Sequence, residues 1–558
     1  MQAVNFITTD EVRTLLKAHL DKPSSMFKSD GERAIFVRRA QREIPELLAT
    51  EGYFSSSAHL QAVLPSGAIN LRVDAGKRTQ VTQVSLEFLG DLASSASEQA
   101  ETAAFLREQF GLQEGDPFTA KAWDQAKSDL MSHISRRDYA TARLVESQAE
   151  VDPAIASARL KLVVDSGRPY LFGPLKISGL ERYPESMVTR YAGFKPGQPY
   201  RRDQILALQK TLQGLPQFSS VIISLDTASA GNTADTSGPV SAPVKVQIVE
   251  ADSRKLSVGF GYSTNHGTRS EINYQSHNFL DRIWSLNTAL ALEVNRQTFT
   301  TGIDTLPNPQ GFQLLWNLSA QRTQIQGLET RGDKFGVTRS NTIFGIRNDV
   351  GLYWQQEQRI PEGGIRENNQ ALVLEWHGYR RDVDNPMFPM NGTLTELKLG
   401  MAGKAFLSDQ DFVRTYGRHQ SWILLNERDV LLLRVEAGYT AAATRLGIPQ
   451  EYLFRVGGTQ TVRGYAYQSL GFIEGGAIVG GRAMSTASAE VTRWFSDWGF
   501  AMFYDMGGAA DVATSLRMSH GYGFGPRWRS PVGPLALDIA RPRNDPKPMI
   551  HFAISVAF

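Results

Sequence analysis

The stretch HFAISVAF, residues 551–558, ends the chain in strict alternation between two kinds of side chain. Phe552, Ile554, Val556 and Phe558 are large and apolar, and the residues between them are small or polar. Successive side chains of a β-strand point to opposite faces of its sheet, so this segment places one face in an apolar medium and the other in a polar one. The final residues therefore predict a strand between lipid and an aqueous lumen.

The same alternation recurs through the second half of the chain, for example in residues 256–262, 284–294 and 535–540. We count sixteen candidate strands from Leu256 to Phe558, and single-chain bacterial barrels have an even number of strands. A closed barrel also satisfies every backbone hydrogen bond in lipid. The pattern predicts a 16-stranded transmembrane antiparallel β-barrel over residues 253–558, with a soluble β-sandwich as the alternative.

Tryptophan is distributed unevenly along the chain. Trp123 is the only tryptophan in the first 250 residues, whereas eight follow: Trp284, Trp316, Trp354, Trp376, Trp422, Trp494, Trp498 and Trp528. Tryptophan anchors at membrane interfaces because its ring is apolar and its N–H is polar. The distribution favours a membrane barrel over the aromatic core of a soluble β domain.

Composition excludes several other classes of protein. The chain has 59 basic and 57 acidic residues, a net charge of +2, so no nucleic-acid partner is expected. It has no cysteine, which removes disulfides and thiol chemistry and fits an oxidising compartment. No apolar run is long enough for a membrane-spanning helix. Hydrolase and zinc-protease motifs are absent and the nine histidines are scattered, so we predict no enzyme activity, no metal and no cofactor.

The first half of the chain is a repeat of about 80 residues. Val73-Asp74-Ala75-Gly76-Lys77 recurs as Val164-Asp165-Ser166-Gly167-Arg168, and Gly115-Asp116-Pro117-Phe118 recurs as Gly197-Gln198-Pro199-Tyr200. Each unit has apolar residues at helical spacing, and we expect an aromatic residue (Tyr53, Tyr139 or Phe218) to begin the next strand. The pattern predicts three α+β units with the order β-α-α-β-β, at residues 1–79, 80–168 and 169–252.

Three such units before a barrel resemble the POTRA-barrel superfamily of outer-membrane assembly proteins. The likeness is strongest in the motifs Val462-Arg463-Gly464-Tyr465, Ser488-Ala489-Glu490, Phe503-Tyr504-Asp505-Met506-Gly507 and Gly525-Pro526-Arg527-Trp528. It implies the bacterial outer membrane as the location, with the repeats in the periplasm. In its number of repeats, the chain resembles the branch of this superfamily that contains the outer-membrane subunit of the translocation and assembly module.

The resemblance and the strand pattern together predict one ionic site, which we term the arginine lock. Arg463 lies in the longest predicted connection, alternation places Asp505 inward, and Glu490 occupies the preceding strand. The resemblance implies that Arg463, followed by Gly464 and Tyr465, folds into the lumen and pairs with both acids. A buried arginine needs such partners, since an unpaired buried charge costs about 3–5 kcal/mol. The alternative is a solvated loop arginine.

The barrel seam is the second predicted site, where the first and last strands meet. If these strands part, each offers an edge to an incoming strand. The residues that we assign to the seam are Val258, Phe260, Tyr262, Ile554, Val556 and Phe558.

The resemblance implies a function in the insertion or translocation of outer-membrane proteins and autotransporters. The expected partners are an inner-membrane or periplasm-spanning subunit at the first unit, client outer-membrane proteins and outer-membrane lipid. A two-partner-secretion pore and a passive diffusion channel are the alternatives.

Overall fold

The computed structural model describes residues 4–20, 27, 29–229, 238–531 and 533–557. The chain divides into two compact units, residues 1–214 with 218–250 and residues 215–217 with 251–558. No helix within the described ranges is long and apolar enough to cross a membrane. Residues 228–243 are rich in Ser, Thr, Gly and Pro, a composition that predicts a flexible hairpin tip, and they lie partly outside the described residues.

In the described part of the first unit, nine strands form three sheets, ordered β1-β3-β2, β4-β6-β5 and β7-β9-β8. Their bounds are β1 (Val4–Ile7), β2 (Ser57–Val63), β3 (Ile69–Asp74), β4 (Gln80–Leu89), β5 (Arg143–Asp152), β6 (Ser157–Asp165), β7 (Tyr170–Ser178), β8 (Phe218–Leu225) and β9 (Val240–Glu250). In each sheet the central strand is parallel to the first strand and antiparallel to the second. The edge strands are therefore β1 and β2 in the first sheet, β4 and β5 in the second, and β7 and β8 in the third.

The helices of this unit are α1 (Asp10–His19), α2 (Asp30–Thr50), α3 (Ser97–Glu108), α4 (Ala120–Arg136), α5 (Ser186–Thr189) and α6 (Arg202–Gln213). The Thr119 hydroxyl caps α4 by accepting from the Ala122 N–H at 3.0 Å. The apolar stripes that the sequence predicted on α4 and α6 are buried against the sheets, which confirms the helical patterns: Trp123, Ala126, Leu130, Ile134, Ile205, Leu208 and Leu212.

The predicted position of an aromatic residue at the start of a strand is correct for Phe218 and wrong for Tyr53 and Tyr139. Asp138 has a positive φ of 58°, which turns the chain before β5 begins. The phenol of Tyr139 donates to Asp91 Oδ2 at 2.8 Å, so this aromatic side chain packs in the preceding turn. β5 therefore begins only at Arg143, because the residues between Asp138 and Arg143 form the turn.

Sixteen strands of the described second unit form a closed antiparallel barrel, which confirms the predicted fold class. They are β10 (Arg254–Ser263), β11 (Gly267–Phe279), β12 (Trp284–Glu293), β13 (Arg296–Asp304), β14 (Gln313–Ile325), β15 (Leu328–Ile343), β16 (Ile346–Pro361), β17 (Glu367–Val383), β18 (Gly392–Ala402), β19 (Phe412–Leu424), β20 (Asp429–Ala442), β23 (Ala483–Phe495), β24 (Trp498–Ala510), β25 (Ser519–Ser530), β26 (Gly533–Pro542) and β27 (Met549–Ala557). A small hairpin, β21 (Phe472–Glu474) and β22 (Ala477–Val479), lies in the connection between β20 and β23. We call the end at which β10 begins the proximal end and the opposite end the distal end.

The two faces of the barrel differ as the alternation predicted. Along β24, Phe500, Met502 and Tyr504 are exposed on the outer face, while Phe503 and Asp505 are buried inside. Several tryptophans lie near the proximal end, and two pairs are in contact, Trp284 with Trp316 and Trp498 with Trp528. This distribution is typical of an interfacial aromatic girdle.

Candidate functional site

The longest connection of the barrel, residues 443–482, turns back into the lumen. Two isolated antiparallel bridges, Phe454 with Gly481 and Val456 with Leu470, hold its base together. At its tip, the side chain of Val462 is fully buried. A loop that buries an apolar tip against the barrel wall has a defined position rather than a solvated one.

The structure places Arg463 between the two predicted acids. Its Nε and Nη2 donate to the two oxygens of Asp505 at 2.7 and 3.0 Å, and its Nη1 donates to Glu490 Oε2 at 2.6 Å. The backbone N–H of Arg463 also donates to Asp505 Oδ2 at 3.1 Å. Arg463 is 5% exposed and Asp505 is fully buried. The forked bond to Asp505 uses the planar geometry of the guanidinium group.

The sequence did not identify two further members of this cluster, Asp538 and Arg527. Asp538 Oδ2 accepts from Arg463 Nη1 at 3.1 Å, and Asp538 Oδ1 accepts from Arg527 Nη1 at 2.6 Å. Arg527 also forks onto Glu490, with Nε and Nη2 at 3.1 and 2.9 Å from its two oxygens. Two arginines therefore bridge three carboxylates, and each carboxylate has a cationic partner. One signal was available, because Asp538 is the only charged residue on the inward face of β26.

Small residues on the wall make room for the tip. A Cβ on Gly521 would lie 1.9 Å from the Arg463 carbonyl oxygen, so any side chain there would displace the loop. The guanidinium carbon of Arg463 also lies 3.3 Å from the centroid of the Phe503 ring. Stacking on an aromatic face adds to the ion pairs in holding the arginine.

The residue after Arg463 connects the tip to the last strand. The Gly464 N–H donates to His551 Nε2 at 2.8 Å, and His551 belongs to β27. Gly464 has a φ of +94°, which favours glycine, and a Cβ there would lie 3.0 Å from the backbone of Arg541 and Pro542. The Tyr465 hydroxyl reaches only to 3.5 Å from the His520 carbonyl oxygen, at the limit of a hydrogen bond. The loop tip thus contacts the strand that forms one side of the seam.

The described pairing at the seam is short. Residues Gly259–Ser263 of β10 pair with Ala553–Ala557 of β27, giving five described pairs, whereas β10 and β11 form ten. Tyr262 lies opposite Ile554, and Phe260 lies opposite Val556. Phe260 and Tyr262 are exposed on the outer face.

Two of the predicted seam residues have no described partner across the seam. Val258 lies one residue before the described pairs, and Phe558 lies outside the described residues.

Residues 250–558 match the Omp85 superfamily domain, and residues 98–167 match the POTRA family described as a surface antigen variable number repeat. In sequence the chain is similar to the outer membrane protein assembly factor BamA of Nitratidesulfovibrio vulgaris, with 26% identity over 190 residues that cover 32% of this chain and 24% of that protein. The chain therefore matches about a quarter of the length of this curated relative.

In structure the chain is similar to BamA from Haemophilus ducreyi lacking POTRA domains 1–3. The TM-score is 0.69 at 15% identity, and the match covers 86% of this chain and 100% of that one, which shows a shared fold. CdiB from Acinetobacter baumannii gives a TM-score of 0.47 at 14% identity, covering 96% and 100%.

The family match covers more than half of the chain, and the fold agrees with it in both units. The strands therefore cross the bacterial outer membrane with POTRA repeats on the periplasmic side, and the chain belongs to the Omp85 superfamily.

Proposed function

We propose that this chain is a TamA-like protein, the outer-membrane subunit of a translocation and assembly module. It helps outer-membrane proteins and autotransporters to insert into or cross the membrane. The three POTRA-like sheets in the described residues support this branch of the superfamily. The similarity to a BamA that is named an outer membrane protein assembly factor supports the same class of function.

The observation that carries the proposal is the small number of described backbone pairs at the seam. Five described pairs join β10 to β27, from Gly259 to Ser263, whereas ten join β10 to β11. A strand edge that opens at such a seam binds an extended segment by adding a strand.

A client strand that binds to this edge can lengthen along β10 by displacing β27. Each backbone hydrogen bond contributes about 0.5–1.5 kcal/mol net, so replacing one strand by another changes the free energy little at each step. The arginine lock contributes to control, since Gly464 beside it donates to His551 on β27. In this proposal a docked tip holds β27 in place, and a released tip frees it.

The experiment is a disulfide across the seam. The chain has no cysteine, so Tyr262→Cys with Ile554→Cys introduces a single pair at directly opposite positions. Opposite residues of antiparallel strands lie about 4.5–5.5 Å apart, within the range that a disulfide spans. The matched control is Leu290→Cys with Phe299→Cys, an opposite pair between β12 and β13. We expect oxidation to stop client insertion in the seam variant only, and reduction to restore it.

The same experiment separates the alternatives. A two-partner-secretion pore or a passive channel moves its substrate through the lumen, so its transport would continue after the seam is closed. Continued client insertion by the oxidised seam variant would contradict the proposed function.

The proposal assigns a TamB-like partner that spans the periplasm to the first POTRA unit, residues 1–79. Both outer strands of that sheet are edges, and they expose the apolar side chains of Ile7, Leu60 and Val63. Such edges support docking by strand addition. Client outer-membrane proteins and outer-membrane lipid are the other partners in this proposal.

A further inference from the structure

The outer face of the barrel carries a polar patch near its proximal end, on β17 to β19, far around the barrel from the seam. Arg380 on β17 lies directly opposite Thr395 on β18, and Thr395 lies opposite His419 on β19. Asp382 and Ser421 belong to the next row, two residues closer to the proximal end. We term these five residues the polar patch. It interrupts a surface that is otherwise mostly apolar, as expected where strands face lipid.

Two hydroxyl groups hold the ring of His419 in the patch. Its Nδ1 lies 2.9 Å from Thr395 Oγ1, and its Nε2 lies 2.9 Å from Ser421 Oγ. A neutral imidazole donates from one ring nitrogen and accepts at the other. In either tautomer, one of the two hydroxyls therefore accepts from the ring and can donate its own O–H to a ligand on the outer face.

A cation and a carboxylate lie side by side in the same patch. Arg380 Nη2 donates to Asp382 Oδ2 at 3.0 Å, and the two side chains are 53% and 70% exposed. This bond uses one of the five N–H groups of a guanidinium, so the exposed group can also donate to an anion. Asp382 is two residues closer to the proximal end than Arg380. The negative charge therefore lies nearer to the water, and the positive charge lies nearer to the middle of the membrane.

An apolar groove of about 320 Å³ adjoins the patch on its distal side. Leu397 follows Thr395 by two residues on β18, and Gly417 precedes His419 by two residues on β19, so the groove begins one outward-facing position beyond the patch. Its floor is low because Gly417 and the opposite residue, Ala437 on β20, are small. Larger side chains form its walls: Trp376, Leu397, Leu399 and Tyr439.

We propose that the patch and the groove together bind one phospholipid of the proximal leaflet, with a zwitterionic headgroup that carries a primary amine. Arg380 and the free hydroxyl beside His419 donate to the phosphate oxygens, and Asp382 accepts from the ammonium group. One acyl chain lies in the groove. The carboxylate, the donors and the apolar groove follow one another along the barrel in the order in which such a lipid presents its amine, its phosphate and its acyl chain.

The surroundings favour a lipid over a protein partner. Within the described residues β18 and β19 are paired along both sides, so neither offers an edge to which a strand could be added. An arginine at this depth commonly extends toward the headgroups. Here a carboxylate, two hydroxyls and a groove accompany it, and together they match a single amphipathic molecule. This site is independent of transport through the seam and does not rest on the proposed function.

The experiment places the full chain in phosphatidylcholine vesicles with a trace of probe lipid that carries a photoreactive group in its acyl chain. The probes are phosphatidylethanolamine, which has the amine, and phosphatidylglycerol, which lacks it. Adducts are measured on residues 412–442, which span β19 and β20, and on residues 284–304, which span β12 and β13 and serve as the control surface. We expect the ethanolamine probe to label residues 412–442 roughly two- to fivefold more than the glycerol probe, the range of one exposed ion pair, and both probes to label residues 284–304 equally.

Two variants separate the headgroup from the acyl chain. Asp382→Asn, at an exposed position where the fold does not depend on the side chain, should abolish the difference between the two probes. Gly417→Leu should fill the groove, since a Cβ there already lies 3.2 Å from Leu397 Cδ2, and should lower labelling of residues 412–442 by both probes. The matched control is Thr301→Leu, which removes a hydroxyl bonded to Thr288 on the outer face of β13 and should leave labelling of residues 412–442 unchanged.

Three results would overturn the lipid site. Equal labelling of residues 412–442 by the two probes in the unaltered chain would contradict the assignment of the headgroup. Labelling of Gly417→Leu at the level of the unaltered chain would contradict the assignment of the groove. Crosslinks from a photoreactive residue at Leu399 to a second copy of the chain, in place of lipid adducts, would show that this face is a protein interface.

Discussion

Replacing Arg463 with alanine should release the tip of the long connection from the barrel wall. The substitution removes four side-chain bonds to three carboxylates and leaves Arg527 as the only arginine that bonds to Glu490 and Asp538 in the described structure. Removing one partner of a buried ion pair costs about 3–5 kcal/mol. At 1.4 kcal/mol per factor of ten, the docked state should become about 10²–10⁴-fold less favoured.

Two amides report directly on this equilibrium. The Arg463 N–H is bound to Asp505 and the Gly464 N–H to His551, so neither exchanges with solvent until the tip undocks. Hydrogen exchange of these amides in the folded barrel should accelerate by the same factor of about 10²–10⁴. The control Arg322→Ala removes an exposed ion pair with Glu329, which is worth about 0.2–1 kcal/mol and should leave exchange at the tip unchanged.

Arg463→Lys separates charge from geometry. Lysine keeps the positive charge but cannot fork onto Asp505 while also reaching Glu490 and Asp538, so it should lose at least one charge-assisted bond, about 1.5–3 kcal/mol. In Arg463→Lys, the Gly464 amide should exchange at a rate between those found in the unaltered chain and in Arg463→Ala. If the Gly464 amide in Arg463→Ala exchanged at the rate found in Arg322→Ala, the ion pairs of Arg463 would not be what holds the tip.

Three further predictions concern other parts of the chain. Gly521→Ala should undock the tip without altering any charge, at a cost of about 1–3 kcal/mol for overpacking, because the new Cβ would meet the Arg463 carbonyl oxygen. The control is Gly403→Ala, where the new Cβ would lie 3.6 Å from its nearest neighbour. Equal amide exchange at the tip in the two variants would show that the space at Gly521 does not hold the tip in place. Burial raises the pKa of Glu250, but the N–H groups of Arg182, Glu181 and Tyr183 and the Arg182 guanidinium outweigh it, so the net pKa is lowered. The carboxylate therefore stabilises the 181–183 turn above the unfolded pKa of about 4.3 and loses this effect as the pH falls through the folded pKa. Glu250→Gln should speed amide exchange of that turn at neutral pH and have no effect in acid. If the variant and the unaltered chain differed in exchange rate by the same factor at all pH values, ionisation of Glu250 would not be the cause. Deleting residues 1–79 should abolish binding of the periplasm-spanning partner while the barrel keeps its heat-modifiable gel mobility, whereas retained binding would place the docking site on a later unit.

The alternation of side chains was sufficient to predict the barrel and the inward face of β24. Lipid and lumen impose opposite polarity on the two faces of each strand, so position along the strand determines which residues point inward. Repeated motifs and helical spacing were likewise sufficient to predict three α+β units, each with one sheet. The predicted strand starts at Tyr53 and Tyr139 failed because turns with a positive φ at Gly52 and Asp138 are local backbone choices that the apolar pattern does not record.

The ion clusters were predictable only in part. Strand parity indicated that Asp505 faces inward, but it could not show that Asp538 and Arg527 meet at the same point, because this depends on the register of three adjacent strands. A second ion cluster, in which Arg359 donates to Glu474, was missed for a related reason. Glu474 ends the short strand β21 within the long connection, and no periodicity relates it to Arg359 on β16. The described pairing of β27 with β10 also depends on register rather than on composition.

Photo-crosslinking to a stalled client shows whether clients pass along the seam. A photoreactive residue at Tyr262 lies on the outer face beside the seam, one at Thr300 lines a cavity in the lumen, and one at Phe299 lies on the outer face away from the seam. We predict adducts between the client and position 262, and none at 300 or 299. Adducts at 300 without adducts at 262 would show that clients cross through the lumen and not along the seam.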